Sequence, residues 1–219
     1  MFRWMLALLG VVGLVTALPL LFSGGSLVWV DTVLTDSDGF INSMEAEVEV
    51  DGFALVSGPA EIESLPDLPQ IPLRFDDVAT IRIMAENLEP DVGIFVGLAE
   101  VDAMEAYIGG VPHAVVDDVS EDGFTLLYRT DVAGDVPSLP TDQTFWTASA
   151  SGLGEQVLEW NLEEGSYLAI VMNENAADGL AFRTTLGARV PLIGPVGVGL
   201  LIGGGLALAL GTVLLAIAL

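Results

Sequence analysis

Hydrophobic and polar positions divide the chain into three parts with different periods. Trp4 to Phe22, "WMLALLGVVGLVTALPLLF", runs 19 residues without a charge. At about 1.5 Å per residue that is enough helix to cross a hydrocarbon core of about 30 Å. Pro191 to Leu219 has no charged side chain across 29 residues and reads as a second span. Between them the period drops to two: "MEAEVEV", Met44 to Val50, alternates apolar and acidic residues, one face for a core and one for water. Similar short runs occur at residues 80–86, 93–99, 123–129, 144–150, 156–162, 166–172 and 180–186, with turn signals such as "DSDG", "GLGE" and "NENAADG" among them. "EVDAMEAYI", Glu100 to Ile108, gathers Val101, Met104, Tyr107 and Ile108 on one side of a helix that stops at Gly109-Gly110. The pattern predicts a mainly β chain: an antiparallel β-sandwich with one short inserted helix, flanked by N- and C-terminal transmembrane helices. The parts are a first span at residues 4–22, a β domain at 23–190 and a second span at 191–219.

Flanking residues orient the spans. Arg3 precedes the first, and no basic residue occurs after it until Arg74, so both termini are expected in the cytoplasm and the β domain outside the cell membrane. Trp4 and Trp29 suit the two interfacial belts, and Gly24-Gly25 reads as the end of the first helix. A cleaved signal peptide is the rival reading of the first segment. No small-x-small cleavage site stands in a polar context after the run, so it is read as retained. Gly199, Gly203, Ala207 and Gly211 recur every four residues along the second span, and Gly13 and Ala17 offer a shorter small face on the first. Small side chains in register allow close backbone approach, either between the two spans or with another subunit.

Charge sharpens the separation. All 31 acids fall between Asp31 and Asp178, while five arginines lie beyond Arg3, giving the acid-bearing part a formal balance of about −26. Such a surface repels nucleic acid and anionic lipid. The charge argues against nucleic acid as a partner; the partners expected from the apolar spans are the lipid bilayer and a membrane protein or a second copy met through the small-residue helix faces. The chain has no Cys and no Lys. That excludes disulfides, thiolate nucleophiles, cysteine-ligated metals, a P-loop lysine and a Schiff base.

Candidate chemistry is correspondingly thin. His113 is the one histidine, so sites needing two or more imidazoles are excluded. A Ser-His-Asp arrangement with Asp117 or Asp118 is arithmetically open, but "ASASG", Ala148 to Gly152, lacks the first glycine of a nucleophile elbow and sits in a strand pattern. His113 is expected to be structural, at the exit of the short helix and the start of a turn. Acidic loops at Asp36 and Asp38, and at Asp117, Asp118, Glu121 and Asp122, are candidates for Ca²⁺, a hard cation wanting several oxygen ligands. The first lacks the EF-hand order, with Leu34 where that motif opens. No other cofactor is expected. Trp146 and Trp160 stand among apolar residues and read as core or half-core rather than a sugar platform.

The stretches "DSDGF", "DGFALVS", "IFVGLAEVDAMEAYIGGVPHAVV", "QTFWTASASG", "VLEWNLEEGSYLAIVMN" and "LGARVPLIG" together cover nearly the whole chain. In that order the chain resembles a family of actinobacterial-type membrane proteins with a span at each end and an extracytoplasmic β domain, whose activity is uncharacterised. The resemblance implies topology and fold. The family's segment at His113 reads Gly-Val-Ala-His followed by acids, whereas Ala114-Val115 occupy those positions here, so a His–acid pair does not carry over. The expected function is a non-catalytic, membrane-anchored extracytoplasmic binding or assembly protein. The alternatives are an envelope hydrolase using acidic residues or His113, and a cation-responsive sensor subunit.

Overall fold

The structure, a computed structural model, describes residues 2–63, 79–120, 123–129 and 136–218. It comprises two units, Met1–Ile41 with Val190–Leu219, and Asn42–Arg189.

The first unit is a pair of apolar helices, α1 (Phe2–Trp29) and α3 (Ile193–Ala218), each long and apolar enough to cross a membrane. They run antiparallel: Gly10 and Gly13 lie against Gly211, whereas Gly24 lies against Gly197 and Leu201. Gly24-Gly25 does not end α1, which continues to Trp29 and through a π turn at Val30–Leu34. The reason is packing. A Cβ on Gly24 would sit 2.7 Å from the Gly197 carbonyl oxygen, so this glycine is a point of backbone contact inside a helix. Where lipid offers no hydrogen bonds, an unbroken helix is also the cheapest way to satisfy the backbone. At the far end, the Asp31 carboxylate rests against Gly194 in the first turn of α3, where the positive end of the helix dipole favours an anion.

The buried small residues repeat by seven, not four. Gly10, Ala17 and Gly24 are buried on α1, and Gly197, Gly204 and Gly211 on α3, where Gly194 is also buried, beneath Asp31 and off this repeat. Four residues advance a helix about 40° beyond a full turn, so a four-residue row drifts off a straight partner. Seven residues drift by only about 20°, which a slight left-handed coil removes. Gly199 and Gly203 therefore stand off the shared face, and a Cβ on either meets nothing within 4 Å. Ala207 and Gly211 do lie on it: a Cβ on Gly13 would sit 3.1 Å from both the Ala207 carbonyl oxygen and the Gly211 Cα.

The second unit is a β-sandwich. Its strands are β1 (Ile41–Asn42, at the boundary of the units), β2 (Ala46–Val50), β3 (Ala54–Val56), β4 (Ala60–Ile62), β5 (Thr80–Asn87), β6 (Ile94–Glu100), β7 (His113–Ser120), β8 (Gly123–Arg129), β9 (Ala148–Gly152), β10 (Gln156–Asn161), β11 (Gly165–Asn173) and β12 (Leu180–Arg189). In one sheet β2, β12, β5 and β10 pair in that order, each antiparallel to the next. The other is ordered β8-β7-β3-β11-β6-β9, with β4 also on β11. Its β3–β7 pair is parallel, with Leu55 opposite Ala114.

Burial explains the two kinds of strand sequence. β2 alternates because Val48 and Val50 face the core, while Glu47 and Glu49 stay in water. β6 and β11 are almost continuously apolar because both their faces are covered. On one side Ile94, Val96 and Val171 pack against Ile83, Leu158 and Phe182 of the opposite sheet. On the other, Phe95, Ala99, Ile170 and Met172 form a second core with Met104 and Ile108 of helix α2 (Val101–Ile108). The residues expected as a strand at 144–150 divide. Phe145 and Trp146 precede β9 and pack against Tyr107, with ring centroids 5.5 and 5.6 Å away, and the Trp146 indole N–H donates to the Pro140 carbonyl at 2.8 Å.

On the outer face of the first sheet, cross-strand partners neutralise arginines. Arg183 of β12 stands between Glu47 of β2 and Glu86 of β5, its Nη2 3.1 Å from Glu47 and its Nε 3.0 Å from Glu45. The Glu47 hydrogen bond, joined by the nearby carboxylates, raises the Arg183 pKa further. Arg82 is buried and pairs with Glu159 of β10 at 2.8 Å.

Candidate functional site

The segment around His113 is built from the end of α2. The Gly109 N–H donates to the Glu105 carbonyl and the Val111 N–H to the Ile108 carbonyl, turning the chain sharply out of the helix. Gly52 lies against Pro112 and His113, where a Cβ would come 3.0 Å from the Pro112 oxygen. The Phe53 N–H donates to that same carbonyl at 3.0 Å. His113 is thus the first residue of β7 rather than part of a turn, paired across to Arg129 of β8. The turn occupies only the four residues between α2 and β7, because Ala114 and Val116 are drawn into the inter-sheet core.

The His113 ring is buried, with Nδ1 2.6 Å from the Val111 carbonyl oxygen. A carbonyl can only accept, so Nδ1 carries the proton and, in the neutral ring, Nε2 holds the lone pair. His113 and Val115 point to the face of the sheet opposite the one used by Ala114 and Val116, and line a cleft of about 440 Å³ beside α2. Val101, Glu105 and Ile108 supply the helix wall, at the i, i+4, i+7 spacing that shares one face. Val56 and Leu168 supply apolar sheet wall. Ser57 also borders the cleft, but its hydroxyl donates to the Gly58 carbonyl at 2.9 Å and accepts from the Ala169 N–H at 2.9 Å.

The acidic candidates are arranged otherwise. Asp36 Oδ1 accepts from the N–H groups of Asp38 and Phe40, each at 2.9 Å, closing an Asx turn that Gly39 completes with φ of 83°. Asp117 and Asp118 fall on β7, where the register shifts between Val116 and Asp118. Glu121 and Asp122 lie outside the described residues. Among the described residues, no three His, Asp or Glu side chains are grouped to hold a metal ion. Trp146 and Trp160 are both half-buried. Trp160 stacks against Tyr167 with centroids 4.7 Å apart, and its buried indole N–H has no partner among the described residues. The cleft escapes sequence reasoning because its walls come from β3, α2, β7 and β11, whose adjacency no local spacing encodes.

No family model matches the chain, and no curated protein matches it. Among solved structures, the chain is similar to CorA, a surface-associated copper-binding protein important in copper acquisition in Methylomicrobium album BG8. That likeness has 11% identity and a TM-score of 0.30, and covers 71% of this chain and 96% of that one. At that TM-score it carries no argument about function.

Proposed function

We propose that the chain is a two-pass membrane protein whose β domain lies outside the cell and acts in binding or assembly rather than catalysis. The carrying observation is the antiparallel helix pair, closed along its length by buried glycines. Such a pair brings both chain termini to one side of a bilayer and the domain between them to the other. Arg3, ahead of the first span, favours the cytoplasm for the termini. This is also the arrangement of the membrane-protein family that the sequence resembles.

Two features support a non-catalytic reading. Where a triad would place a carboxylate on His113 Nδ1, the Val111 carbonyl stands, and the Ser57 hydroxyl in the same cleft is committed to backbone. Gly199 and Gly203 support assembly, because they leave α3 open to close approach on a side that α1 does not cover. Extraction from native membranes in mild detergent, then mass measurement of the intact particle, tests this. A defined companion chain or a second copy is the expected result. A solitary chain that crosslinks to nothing in cells would overturn the assembly reading.

A further inference from the structure

The two sheets of the β domain part around an apolar recess of about 220 Å³. Ile83, Phe182 and Leu186 wall it from the first sheet, and Leu55, Val116 and Val171 from the second. Packing fixes the direction of these side chains: Leu55, Ile83, Val171 and Phe182 belong to the inter-sheet core, and Val116 packs against it. Leu186 shares that face because it pairs directly across from Ile83. The hydroxyls at the border are committed elsewhere. Thr184 donates to the Met84 carbonyl at 2.9 Å, and Ser57 is held by Gly58 and Ala169. The wall presented to a ligand is hydrocarbon.

Burial along β12 shows where the recess opens. Phe182 is 0% exposed and Thr184 6%, whereas Leu186, the next residue on that face, is 38% exposed. A molecule entering there can bury an apolar body and leave a polar end in water. An apolar cavity of about 150 Å³ stays dry and binds benzene, and this recess is larger. Its walls are branched aliphatic chains with one ring, Phe182, a contour that a flexible alkyl chain can follow. A protein carrying two helices apolar enough to cross a membrane also resides where alkyl chains are abundant.

We infer that the recess between the sheets binds one alkyl chain of an amphiphile, the hydrocarbon lying among Leu55, Ile83, Val116, Val171 and Phe182 and the polar end leaving past Leu186. The inference concerns the interior of the β domain and does not rest on the assembly reading.

The full chain in lipid nanodiscs is photolabelled with two probes that carry the same diazirine-bearing alkyl chain, a phosphatidylcholine and a free long-chain alcohol. Neither has a net charge, so the acidic surface repels neither. Peptide mass spectrometry maps the labelled residues. Saturable labelling at the border of the recess, on β3, β7, β11 or β12, is expected from at least one probe; the phospholipid would identify a bilayer lipid as the source, the alcohol alone a free amphiphile. Ala169 borders the recess and packs against the core, so Ala169→Leu fills the space and should cut that labelling about tenfold, while labelling of the two helices stays the same. Thermal unfolding checks that the variant folds. If it does not, Leu186→Gln, a polar group at the partly exposed mouth, carries the same criterion. No labelling of the recess by either probe, or labelling undiminished in the folded variant, would overturn the inference. None of these outcomes bears on whether the chain is extracted with a companion.

Discussion

Replacing Gly24 by alanine, and Gly203 by alanine as its counterpart, separates helix packing from helix propensity. A Cβ on Gly24 would lie 2.7 Å from the Gly197 carbonyl oxygen and 2.8 Å from the Leu201 nitrogen. Both are backbone atoms of α3, so no side chain can swing aside and the helices must part along the seam. A Cβ on Gly203 meets nothing within 4 Å. Both substitutions gain the same helix propensity, about 1 kcal/mol. The difference between them therefore isolates overpacking, which costs about 1–3 kcal/mol. Unfolding in mixed detergent micelles, read from Trp4 and Trp29 emission in a Trp146→Phe, Trp160→Phe background, measures it. Gly24→Ala should come out less stable than Gly203→Ala by that amount. Equal changes at the two positions would refute the seven-residue seam.

The β domain offers three further tests. Site-specific replacement of Trp160 by benzothienylalanine, which keeps the ring shape but has no N–H, removes a buried donor that has no partner among the described residues, so denaturant unfolding should show no loss, or a gain of up to about 1 kcal/mol; a loss well beyond about 1 kcal/mol would mean that the N–H is bonded. Burial pushes the Tyr107 phenol up to about 12, so absorbance titration should show a late-ionising tyrosine that Tyr107→Phe deletes. Because the folded value lies above the ordinary 10.0, the unfolded chain gives up this proton first. Tyr107's contribution to stability is whole below about pH 10 and falls between about pH 10 and 12. His113→Ala strands the buried Val111 carbonyl and opens a void, costing about 2 kcal/mol by thermal or chemical unfolding; His113→Asn, whose amide N–H can reach the same carbonyl, should cost less, and equal losses would remove the hydrogen bond from the explanation.

Period-two runs place most of the β domain, since a half-buried strand such as β2 writes its two faces directly into its sequence. β6 and β11 are legible as strands from their apolar runs, but not as strands covered on both sides. That requires knowing that α2 and the Phe145-Trp146 stretch return to the outer face of their sheet. β3 and β4, three residues each, are too short for a period to show. His113 is legible as held by neighbouring backbone but not as part of a strand, because a two-sided strand after "GGVP" carries no alternation to announce it. In the spans, a four-residue count selects Gly199 and Gly203, whereas the seam runs on sevens through Gly197, Gly204 and Gly211. That seven-residue repeat is present in the sequence of both helices. Gly10, Ala17 and Gly24 match it from the other side, and only the two repeats taken together mark the pairing face.

The proposed function depends on the β domain lying outside the membrane that the helix pair crosses. Because the chain has no cysteine, one introduced at exposed Ser151 of β9 is the sole target for a membrane-impermeant maleimide. Labelling in intact cells, undiminished relative to lysed cells, is the predicted result. Labelling only after lysis would place the domain in the cytoplasm and contradict that topology.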